Sequence, residues 1–77
     1  MGIMLDLRQA VMHKIHGADE NGLRDMIEGS VDGKEAALPG LGVMFEMVWK
    51  NIGHQQQDEL VHVISQQIKN TELKPLR

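Results

Sequence analysis

The chain has 77 residues, 42% of them hydrophobic and 25% charged, with a formal net charge of −3 and no cysteine. That size makes one domain, and the missing cysteines exclude a disulfide framework, a thiolate nucleophile and a cysteine-ligated zinc, which fits a reducing interior. The eight Lys and Arg are scattered from Arg8 to Arg77, so no basic patch offers itself to phosphates, and nucleic acid is not the expected partner.

Folding a chain of this mass is expected to bury roughly 60% of its extended surface. The core is therefore small, and losing one large apolar side chain costs about 2–5 kcal/mol, comparable with the whole margin of such a domain. The opening MGIMLDLRQA has no cationic region ahead of a long apolar run, and Asp6 and Arg8 interrupt it early. It reads as the start of a helix rather than a signal peptide. No apolar segment approaches the length of about 18 residues that a membrane span needs, so the expected location is inside the cell.

Helix one is predicted over residues 4–16, with Met4, Leu7, Val11 and Ile15 on one face. His13 and His16 lie off that face, beside Gln9, on the wet side. Gly17 is a candidate left-handed C-cap, and Asp19 a candidate N-cap for a second helix with Glu20 in its first turn. That helix is predicted from about Glu20 to Asp32, with Leu23, Met26, Ile27 and Val31 inward and Arg24, Asp25 and Glu28 outward. Gly29 weakens it by up to about 1 kcal/mol unless another helix packs closely there. Gly33 is its expected stop.

Residues 34–38, KEAAL, either extend that helix or fold back. Leu38 precedes Pro39 and is expected to leave the α region, and Pro39 and Gly40 together fit a type II turn. A third helix is then predicted over about 40–52. Its apolar residues, including Leu41, Val43, Phe45, Val48 and Trp49, cover most directions and leave only Glu46 and Lys50 on a narrow polar stripe, in the favourable i,i+4 order. A helix apolar nearly all round is buried among neighbours or shared with another subunit. Gly53 is its candidate C-cap.

A fourth helix is expected from HQQQDEL onward, with Leu60, Val61, Ile64 and Ile68 as its buried stripe and His62 pointing away. Asp58 and Glu59 come early in it and Lys69 late, as the helix dipole favours. From about Asn70 the pattern is lost and Pro75 intervenes. The expected organisation is a single helical domain over 1–70 with a frayed tail over 71–77. The fold class is all-α, a small bundle of about four short helices around the central apolar helix.

No motif supplies chemistry. His13 and His16 share a helix side, but zinc needs further ligands that no HExxH or His-carboxylate set provides; His54 and His62 read as surface residues. The PGLG segment lacks the Lys-Ser or Lys-Thr of a phosphate loop and follows no strand. Gly40 is instead assigned to the turn, and Gly42 to the close approach of another helix backbone. Ser30 and Ser65 are the only serines, and neither has a partner histidine at a telling distance. No catalytic, cofactor-binding or metal-ligating residue is assigned. The stretch Leu38, Pro39, Gly40, Leu41, Gly42, Phe45 and Trp49 is assigned as a structural motif that anchors the bundle. Met26, Met44 and Met47 fall on predicted buried faces, and core filling is their expected use. A groove for a protein partner, or self-association through helix three, is the functional hypothesis that the excess of apolar surface supports.

The same stretch carries a family resemblance. LPGLGV at 38–43, followed by FE at 45–46 and Trp49, with LDLRQAV at 5–11, GADENGLRDMIEGSVDGKE at 17–35 and a polar C-terminal helix, resembles the small acid-soluble spore protein I family of endospore-forming bacteria. The leader MGIM, the four histidines and the HQQQ opening of helix four depart from the family's pattern. The resemblance implies a minor protein made in the forespore and held in the spore core, with no assigned biochemical activity. It does not imply DNA coating, because the abundant α/β-type spore proteins share only the general name. No functional residue is carried over with it.

Overall fold

A computed structural model describes residues 6–71. Among them the chain is all-α: α1 spans Leu7–Ile15, α2 Glu20–Ser30, a 3-10 turn Glu35–Ala37, α3 Leu38–Lys50 and α4 His54–Asn70. The part of the first helix expected at residues 4 and 5, and the tail beyond Thr71, lie outside the described residues.

Helix starts follow local chemistry. Asp6 caps α1 by accepting from the Gln9 N–H at 2.8 Å, and Asp19 caps α2 by accepting from the Gly22 N–H at 2.8 Å. Each carboxylate satisfies one of the orphan donors of a first turn. At the end of α2 the Ser30 hydroxyl turns back to donate to the Met26 carbonyl at 2.8 Å. The chain then reverses at Asp32, whose φ of 57° is the only positive value outside glycine among the described residues. Aspartate tolerates this left-handed region better than most side chains. Gly33 follows with a Cβ position only 3.1 Å from the Gly29 carbonyl oxygen, so the reversal needs its missing side chain although its own φ is ordinary.

Three expectations of the loops are corrected. No described glycine has positive φ, so Gly17 is not a left-handed cap; α1 closes through the Ala18 N–H donating to the Ile15 carbonyl at 3.0 Å. Leu38 does not leave the α region: at φ −62° and ψ −41° it opens α3, with Pro39 in the first turn and no type II turn at Pro39-Gly40. Proline suits that place because its missing N–H falls where no intrahelical acceptor exists, and its fixed φ is already helical. The 3-10 turn feeds straight into α3 and overrides the local preference of a residue before proline. Gly53 does not end α3 but caps the start of α4 in extended conformation, φ −80° and ψ 171°. Its N–H donates to Gln56 Oε1 at 3.1 Å, the reach-back half of a capping box; having no side chain, Gly53 cannot supply the other half.

α3 is the element on which the others pack. α1 packs against it most extensively, α2 less so, and α4 least. Leu7, Val11 and Ile15 of α1, Met26 of α2, and Leu41 and Met44 of α3 face one another around a cleft of about 420 Å³. Ile15 and Val43 are each 9% exposed, the only hydrophobic residues that count as buried among those described. Gly29 has nothing near its Cβ position, so no helix contact offsets its helix-weakening effect. Gly29→Ala is therefore expected to raise the unfolding free energy in urea by about 0.5–1 kcal/mol.

The fold is open. Its radius of gyration is 15.3 Å, against about 11 Å for a compact chain of this length. The accessible surface is 7227 Å², against about 4,700 Å² for a compact monomer of this mass. The stripe expected to be buried on α4 is largely in water: Val61 and Ile64 are 50% exposed and Ile68 68%, with only Leu60 half-buried.

Candidate interaction surface

The aromatic pair lies at the centre of the open surface. Phe45 and Trp49 are one turn apart on α3, and their rings meet at 5.9 Å between centroids with a 34° tilt, within the range of favourable aromatic pairs. Phe45 remains 44% exposed. α4 turns back beside this pair, held at its start by Gln57 Nε2 donating to the Trp49 carbonyl at 2.9 Å. Between the two helices lies a shallow groove of about 450 Å³, lined by Gly42, Phe45, Glu46 and Trp49 from α3 and by Val61 and Ile64 from α4. Its walls are almost wholly apolar. A groove of that kind takes another apolar surface, not a charged substrate.

The residues of the anticipated motif divide between the two sides of α3. Gly40 and Leu41 are half-buried, and the Gly40 Cβ position lies 3.9 Å from Val11 Cγ2 on the α1 side. Leu38, 57% exposed, and Pro39 lie at the open start of the helix. Gly42, Phe45 and Trp49 line the groove. Gly42 has no atom within 4 Å of its Cβ position, so among the described residues no other helix approaches it closely, contrary to expectation.

One contact escaped the sequence altogether. Arg8 of α1 clamps Glu46 of α3 through two bonds, Nε to Oε1 at 2.6 Å and an Nη donor to Oε2 at 2.8 Å. Glu46 was expected to pair with Lys50, four residues on. The Arg8 hydrogen bonds, with its charge and that of Lys50, hold the Glu46 carboxyl below its ordinary pKa of 4.5; the same contact raises Arg8. A carboxyl lowered by folding stabilises the fold fully above its ordinary pKa, and that contribution is lost as pH falls through the native value. Glu46→Gln is thus expected to lower the thermal midpoint at about pH 7 and to converge on wild type as pH falls below the ordinary carboxylate range. The difference is small, because Arg8 is 68% exposed and solvent screens the pair. Midpoints of both proteins across that pH range check it.

The remaining polar groups are committed locally or face water. His13 and His16 border a shallow surface hollow with Gln9 and Met12, and no group of three or more potential ligands converges among the described residues. His54 Nε2 lies 3.4 Å from Asp58 on the exposed side of α4. Ser30 Oγ is engaged by Met26. No described helix is long and apolar enough to cross a membrane.

Comparison with known proteins agrees with the pattern read from residues 38–49. The family model described as "Small, acid-soluble spore protein I" matches residues 5–68. A protein of that name from Halalkalibacterium halodurans is 47% identical over 62 residues, covering 79% of this chain and 91% of its own. Its namesake in Geobacillus kaustophilus is 38% identical over 66 residues, covering 84% of this chain and 96% of its own. The one from Bacillus cytotoxicus is 36% identical over 66 residues, with 84% and 94% covered. No solved structure matches the chain. The match spans α1 to all but the last residues of α4, and on that extent the chain belongs to the small, acid-soluble spore protein I family.

Proposed function

We propose that this chain serves the spore as a non-enzymatic interaction protein, resident in the spore core, whose working surface is the apolar face formed by α3 and α4. Membership of a family of small, acid-soluble spore proteins supports the setting. The observation that carries the interaction role is the exposure of Phe45 at 44% and of Val61 and Ile64 at 50% around one groove, with Ile68, 68% exposed, further along α4. A small protein does not leave contiguous apolar surface of this kind in water without a use for it.

Charge speaks against duplex DNA as the occupant. The net charge is −3, and Arg8 and Arg24 are each engaged by a carboxylate, Glu46 and Glu28. A nucleic-acid partner needs free cations to release phosphate counterions. The test is a pair of assays on the purified chain. Gel shifts with duplex DNA should show no retention between about 50 and 200 mM salt, and immobilised chain should retain protein that a Phe45→Ser variant does not. Salt-sensitive DNA binding, or capture indifferent to Phe45, contradicts this reading.

A further inference from the structure

We infer that the occupant of the α3–α4 groove is the exposed ridge of α4 from a second copy of this chain, in a two-fold antiparallel dimer. The inference rests on the interaction reading above and specifies its partner.

Area gives the first reason. Each chain exposes 7227 Å², about 2,500 Å² beyond the surface of a compact monomer of its mass. A standard dimer removes about 800 Å² from each copy, and an obligate one about 1,000–2,500 Å². The surplus, taken over the whole chain, leaves room for an interface of that size.

Shape and spacing give the second. On α4, Val61, Ile64 and Ile68 recur at intervals of three and four, the spacing of one apolar helix face, and Gln57 ahead of them is engaged by the Trp49 carbonyl of its own chain. At 17 residues α4 is the longest helix described, about 25 Å of ridge. Val61 and Ile64 form the wall of the groove, and Ile68, 68% exposed, continues the same line past its end. Groove and ridge therefore lie side by side on one molecule. A two-fold axis sets each ridge into the other's groove, the arrangement an isologous interface requires.

Charge gives the third. Asp58, Glu59 and Lys69 each lie about 90° or more around the helix from the ridge, so the ridge carries no charge, and the one charged residue of the groove wall, Glu46, is already paired with Arg8. Direction follows from the helix dipoles: an antiparallel pair of α4 helices sets them head to tail, whereas a parallel pair aligns them unfavourably.

Sedimentation of the purified full chain over about a hundredfold range of concentration tests this, with Trp49 emission recorded in parallel. The expected result is a species of twice the chain mass of 8.6 kDa, and a shift of Trp49 emission to the blue as the groove closes. Ile68→Glu should raise the dissociation constant by about 100-fold or more, because the two-fold axis counts each lost contact twice. Its helical circular dichroism under dilute conditions should match wild type, since Ile68 is 68% exposed in the monomer. Ile68→Leu should restore the dimer. A chain that stays monomeric throughout overturns the dimer, as does a dimer indifferent to Ile68→Glu. Photo-cross-linking from position 68 in spore extract separates the two levels of the account. A cross-link to a different protein overturns the second copy as occupant and leaves the interaction role standing; no cross-link to any protein removes both.

Discussion

Val43→Asp is expected to abolish the folded state: the helical circular dichroism should collapse at room temperature and no cooperative thermal transition should remain. Val43 is 9% exposed, on the helix against which α1 and α2 pack. A carboxylate there has no described cationic partner, and placing an unpaired charge in such a site costs several kcal/mol. The total margin of a chain with so little buried surface is smaller than that. Val43→Ala keeps the site apolar and is the control: it should destabilise by about 1–2 kcal/mol and leave a cooperative transition.

Phe45→Ala should behave in the opposite way. In a closed core, removing a phenyl ring costs about 3–5 kcal/mol. Here the ring is 44% exposed and stands at a groove rather than inside the α1–α2–α3 cleft, so the dilute chain should lose about 1 kcal/mol or less. Association is where the loss falls, with self-association weakened by about 100-fold on the area that Phe45 contributes from both copies. Denaturation of the dilute protein and sedimentation of the concentrated protein separate the two effects. Equal losses in both contradict the division between an inner cleft and an outer binding face.

Local signals were legible and distant ones were not. Asp19 before an amphipathic run marks the start of α2 because the cap needs only its own next three residues. The α1 stripe of Leu7, Val11 and Ile15 lines the cleft as a helical spacing of four requires, with Ile15 buried, Val11 half-buried and Leu7 50% exposed. The same periodicity on α4 says that Val61, Ile64 and Ile68 form a stripe but not what covers them, and the single chain leaves them in water. Leu38 and Gly53 were misread because a propensity was given more weight than its neighbours. A 3-10 turn leads Leu38 into a helix, and a short link makes Gly53 the start of one helix instead of the end of another. The Arg8–Glu46 clamp joins residues 38 apart, and nothing at either position points to the other until α1 and α3 are placed side by side.

The groove shows the limit of the sequence in functional terms. An α3 apolar nearly all round called for neighbours on every side, and α1 and α2 supply only some of them. Phe45, Gly42 and Trp49 stay on the uncovered side. The residues that resemble the family are thus divided between an inner role, at Gly40 and Leu41, and an outer one.

The central claim, that the fold is completed by association, is tested most directly by the thermal midpoint of the purified chain measured over about a hundredfold range of concentration. Association with the native state links stability to concentration by mass action. The midpoint should rise steadily with the logarithm of concentration, and Ile68→Glu should remove that rise. A midpoint independent of concentration in the wild-type chain contradicts it.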